Sequence, residues 1–187
     1  MISARQLAGA LYGLWLLYRF DVRTWDYFDK SPRGFWASYV VAFALAPLQL
    51  SHMALLYKAD KAGLDFVPYM IVQTLSYILT WTLFPFAMLY IARLLERESR
   101  FLAYMVPYNW MQLPLAATLS SLLVLTDLQI LPGAVISFIG PVLLVGIAVY
   151  GTFVAAIGLQ VVTGTALSLV VLDYLLSLIA GELIRRI

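Results

Sequence analysis

The 187-residue chain contains no cysteine and a single histidine. Without thiols there is no disulfide framework, no cysteine nucleophile and no thiolate-ligated metal, and one imidazole cannot build a multi-histidine metal site. Charge is also scarce, at 12% of residues. No GxSxG, HExxH, P-loop or dinucleotide fingerprint occurs, so the common catalytic constellations lack their parts. No enzyme activity, cofactor or metal is expected.

What fills the chain instead is apolar: 63% of residues are hydrophobic and the mean hydropathy is +0.90, far outside the soluble range. The net charge of +2 does not point to nucleic acid, because the basic residues sit at the edges of apolar runs, where membrane proteins place them. The composition predicts an all-α, polytopic membrane helix bundle of one domain.

Residues 101–126 hold 26 positions without a formal charge between Arg100 and Asp127. At about 1.5 Å per residue this crosses a hydrocarbon core of roughly 30 Å. Within it Tyr104, Tyr108 and Gln112 recur at i, i+4 and i+8 with Asn109 beside them, a polar face that should meet protein rather than lipid. Pro107 and Pro114 predict a kink, and the small residues Ala116, Ala117, Ser120 and Ser121 suit close helix contact.

Before this stretch, residues 3–20 carry an apolar run of about twelve residues, too short to span. No small-x-small cleavage site follows, which disfavours a signal peptide. Leu7, Leu11, Leu14 and Tyr18 share one face, predicting an amphipathic helix on the membrane surface. The charged and aromatic residues 21–36 suit the headgroup layer, and Ser31 with Pro32 reads as the N-cap and first position of the next helix. Residues 1–33 thus form an interfacial and juxtamembrane segment.

Five spans are predicted after it, at about 34–57, 66–93, 101–126, 131–157 and 163–185, the last two split from a single uncharged run of 45 residues. A reversal is expected at 158–164, GLQVVTG, on its two glycines. Gly151 with Ala155, Gly164 with Ser168, and Ala116 with Ser120 are the helix-packing candidates. The intramembrane polar candidates are Asp173, Asn109, Gln112, Tyr108, Gln73 and His52. Asp173 stands out as the one acid deep inside a span, where a carboxylate is costly unless hydrated, protonated or paired, so a hydrogen bond from Tyr, Asn or Gln of another helix is expected. His52 reads as a packing residue or interfacial donor. Arg93, Arg97 and Arg100 form a charged connection that would meet solvent or lipid headgroups.

With the N-terminus inside, eight Lys and Arg residues fall on the inner side and four on the outer, which favours a cytoplasmic N-terminus and an opposite C-terminus; the expected location is a bacterial inner membrane. The layout of short spans after an amphipathic start, with YMVPYNWMQLPLAATLSSLL and YGTFVAAIGLQVVTGTALSLVVLDYLL, resembles the Yip family of small integral membrane proteins over roughly residues 35–180. That resemblance implies membrane-trafficking partners in eukaryotes. The DLYGP-type motif of that family does not occur in this chain, so neither a GTPase-linked role nor any site residue carries over. The expected function is that of a scaffold or accessory subunit packing on other integral membrane proteins or on its own copies. The alternative is a small transporter or lipid-handling protein with a polar cavity around Asp173.

Overall fold

The computed structural model describes residues 3–57 and 65–185. Of the short polar turn expected between the first two spans, KADKAGLD at 58–65, residues 58–64 lie outside the described residues, as does Arg186. The described chain folds into α1 (Ala4–Leu17), α2 (Pro32–Ser38), α3 (Val40–Leu56), α4 (Phe66–Leu94), α5 (Phe101–Asp127), α6 (Gly133–Leu159) and α7 (Thr163–Arg185), with 3-10 turns at Val22–Asp26 and Glu98–Arg100. Four helical stretches are long and apolar enough to cross a membrane: Pro32–Leu56, where α2 runs into α3, then Phe66–Leu94, Gly133–Leu159 and Thr163–Glu182. α5 is long enough, at 27 residues, but is not among the four, because Asn109, Gln112 and its tyrosines and prolines dilute its apolar content.

The helices close a ring. α3 packs on α5, α5 on α6, α6 on α7, α7 on α4, and α4 returns to α3, while α1 and α2 lie outside the ring against α5. α5 is therefore the most enclosed element, and between Ala103 and Met111 every residue except Tyr108 is buried. Its polar side chains Tyr108, Asn109 and Ser120 bond to α7, α2 and α3, the arrangement that a low-dielectric surround demands.

Proline shapes the contacts on α5 and α4. Pro107 has no N–H to offer the carbonyl of Ala103, four residues earlier, and the Trp25 indole Nε1 donates to that oxygen at 2.8 Å. The carbonyl of Trp81, four residues before Pro85, accepts from the Tyr39 hydroxyl at 3.5 Å. Three residues before Pro114, the Met111 carbonyl accepts from Tyr18 at 2.9 Å. At Ala103 and Trp81, aromatic donors from the segment between α1 and α3 thus supply hydrogen bonds where the prolines remove the helix's own.

Local signals explain the helix ends. Ser3 and Gln6 form a reciprocal capping box on α1, and the Ser31 hydroxyl accepts from the Gly34 N–H at 3.0 Å with Pro32 opening α2. Two expectations need correction. The face expected on α1 is split: Ala10, Gly13 and Leu17 join Leu14 in the buried side, whereas Leu7 and Leu11 are exposed beside Tyr12 and Trp15. The cause is that α1 rests on the following segment as well as on α5. A Cβ on Gly13 would lie 3.0 Å from Tyr27 Cβ, and the Thr24 hydroxyl donates to the Gly13 carbonyl. The reversal between α6 and α7 turns on Gln160, at φ 55°, rather than on a glycine. Gly158 remains inside α6 because its bare Cα lets that helix approach Tyr104; a Cβ there would come within 2.8 Å of the Tyr104 Cα.

Candidate functional site

The ring encloses a cavity of about 1330 Å³, above the ~300–1,000 Å³ common for small-molecule sites. All five ring helices line it. α3 contributes Leu45, Gln49 and Met53, α5 contributes Tyr108, Gln112 and Ala116, and α6 contributes Leu144, Ile147 and Ala148. α4 presents Gln73, Ser76, Tyr77, Thr80 and Trp81, and α7 presents Val170, Asp173, Tyr174 and Ser177. The walls are thus mainly aliphatic and aromatic with a minority of hydrogen-bonding groups, the mixture that takes a molecule with an apolar body and one polar end.

The polar groups converge on α7. Asp173 Oδ2 accepts from the Tyr108 hydroxyl at 2.6 Å, across from α5, and Gln112 lies beside that same hydroxyl. Among the described residues no other hydrogen bond reaches the Asp173 carboxyl, so Oδ1 is available to the cavity. Among the described residues Asp173 is the one charged side chain in the lining, and none of them that line it is Lys, Arg or His. Elsewhere along the wall, Gln49 Oε1 accepts from the Ser120 hydroxyl at 2.7 Å and joins α3 to α5.

The enclosure is incomplete. Leu144 of α6 and Leu167, Val171 and Tyr174 of α7 line the cavity and are each about half exposed, so the space communicates with the outside along α7. The two helices are firmly joined only near their connection. There Gly151 faces Val170, with a Cβ built on it 3.0 Å from Val170 Cγ2, and Val154, Ala155 and Leu159 are fully buried. α6 buries nothing before Gly151, and Gly133 and Gly140 have no neighbour within 4 Å of a built Cβ.

No protein-family model, curated protein or solved structure matches the chain. What the site can do is therefore read from its own residues.

The other residues singled out from the sequence are dispersed. Asn109 does not share the cavity with Tyr108 and Gln112. It points to α2, where Nδ2 donates to Ser38 Oγ at 2.8 Å, and its Oδ1 is buried with no partner among the described residues. His52 pairs through Nδ1 with Asp127 Oδ2 at 2.5 Å, tying the end of α3 to the end of α5 away from the cavity lining. Arg93 is paired with Glu98 at 2.9 Å, Arg97 Nε donates to the Gln160 carbonyl at 3.4 Å, and Arg100 precedes α5, so two of the three cations hold the connections together. Gly151 and Ala155 pack within the chain, and so does Ser120, whereas Ala116 lines the cavity. The packing expectation for Gly164 and Ser168 is not met inside the chain: both are exposed, and α7 uses Ala166 and Leu169 instead, which lie on its other side.

Sequence reasoning did not single out Trp81, Tyr77 or Gln49 for the cavity, nor Trp25 as the donor to α5. For Trp25 a signal exists, since Pro107 orphans one carbonyl inside a buried helix and an indole on an adjoining segment is a suitable donor. For the cavity wall none does, because aromatic residues in apolar runs line cavities, pack and face lipid alike.

Proposed function

We propose that this is a five-span membrane protein, with α5 as the third span, that takes an amphiphilic molecule from the bilayer into its ring: a lipid-handling protein or small transporter rather than an enzyme. The supporting observation is the 1330 Å³ cavity, apolar for most of its wall, polar at Asp173 and open along α7. An opening through the side of a ring of membrane helices faces acyl chains, so a ligand arriving there is one that dissolves in lipid. The positive-inside bias favours a cytoplasmic start, and an odd number of spans then leaves the end on the opposite side of a bacterial inner membrane. The accessory-subunit reading draws less support, because Gly151 and Ala155, expected to bind another protein, are already used between α6 and its neighbours.

Gentle extraction followed by native mass spectrometry and lipid identification tests this. Wild-type protein should retain a stoichiometric amphiphile, and Ala148→Trp, which fills the cavity from α6, should remove most of it while the protein stays folded. Equal carry-over in both, or a large stoichiometric assembly with other proteins, would overturn the cavity reading.

A further inference from the structure

Resting on that cavity reading, we infer that the ligand is an amphiphilic cation, an amine or ammonium group on an apolar body, held with its charge against Asp173 and its body among the aromatic rings of α4 and α7. Three observations converge. Among the described residues the lining holds one carboxylate and no basic side chain, and no Lys or Arg occurs anywhere between Arg100 and Arg185, so α5, α6 and the part of α7 that lines the cavity bring no cation of their own. One oxygen of Asp173 is engaged by Tyr108 and the other has no donor among the described residues, which leaves a spare acceptor on a residue of the cavity wall. The lining also carries Tyr77 and Trp81 of α4, Tyr108 of α5 and Tyr174 of α7, and aromatic rings attract a positive charge.

The alternatives fit less well. An anionic amphiphile would bring its charge against a carboxylate with no base to offset it. A neutral lipid would fill the apolar volume but could at best offer Asp173 Oδ1 a hydroxyl or amide donor, which leaves the buried charge without a counter-charge.

Tetraphenylphosphonium and tetraphenylborate have the same shape and opposite charge, which makes them suited to decide the point. Titration calorimetry of the detergent-solubilised protein, corrected against empty micelles, should show saturable binding of the phosphonium and none of the borate. Asp173→Asn, which still offers an oxygen to Tyr108, should weaken phosphonium binding about thirty-fold or more, as truncation of a buried charge partner does. Tyr108→Phe, which keeps the charge and removes one hydrogen bond, should stay within about three-fold. Equal binding of both ions, or phosphonium binding unchanged in a folded Asp173→Asn protein, would overturn the assignment. The wild-type comparison of the two ions needs no variant to fold. Binding of neither ion also overturns it, and the lipid carry-over of Ala148→Trp then shows whether the cavity reading falls with it: carry-over lost by the variant leaves a neutral-lipid cavity, and carry-over unchanged removes both readings.

Discussion

α5 and α6 are both 27 residues long, adjacent in the chain and packed on each other, yet they use opposite chemistry. α5 carries Asn109, Gln112, two prolines and two tyrosines and is covered almost all round between Ala103 and Met111. α6 has the highest mean hydropathy of the candidate spans, 2.3, and buries nothing before Gly151. In a water-soluble protein the apolar helix would be the covered one. Here the relation is inverted, because in lipid the exposed surface is the apolar one and a polar helix is stable only when protein surrounds it.

The contrast can be broken most severely with two glycines of the same helix. Gly158→Leu forces side-chain atoms into the Tyr104 backbone, which cannot move aside, and should cost about 3 kcal/mol or more, read as a large fall in melting temperature in detergent. Gly140→Leu meets nothing and should stay within about 0.5 kcal/mol of wild type. Similar losses at both positions would mean that the first half of α6 is not a free, lipid-facing surface.

A smaller effect separates the proline-freed carbonyls. Trp25→Phe removes the donor to Ala103 from inside the enclosed part of α5 and should destabilise by about 1–3 kcal/mol. Tyr39→Phe removes a bond already stretched to 3.5 Å and should cost less than about 1 kcal/mol. The reverse order would show that the enclosure of α5 does not govern the cost. Smallest of all, Gln49→Leu, which breaks the bond to Ser120 at the edge of the cavity, should change stability by about 0.6 kcal/mol, the mean for hydrogen bonds between membrane helices. A loss several times larger would make Gln49 a structural clamp rather than a wall residue.

Much of this arrangement was legible before any coordinates. The start of α2 at Ser31 and Pro32 follows from the cap, and the charge-free run that opens at Phe66 sets the extent of α4 to within a few residues. The need of Asp173 for a donor from another helix is met by Tyr108. The destination of Asn109 was not legible. On a helix with neighbours on every side, a residue one position from Tyr108 is turned by about 100° and belongs to a different partner, and nothing in α5 says that α2 is the partner. Nor could spacing separate Gly151 and Ala155, which pack within the chain, from Gly164 and Ser168, which are exposed in it. A small-xxx-small pair records permission for close approach, and the approach itself depends on where another helix ends up.

The covering of α5 also bears on how the chain is made. Its partners α1, α2 and α3 are synthesised before it and α6 after it, so when Asp127 has just been added the helix has protein available for only part of its circumference. A segment this polar gains little from entering lipid alone. In the five-span reading its commitment to the bilayer therefore waits for the 27 apolar-rich residues that follow, and the order of translation becomes part of the folding pathway, with α6 acting as the internal chaperone of α5.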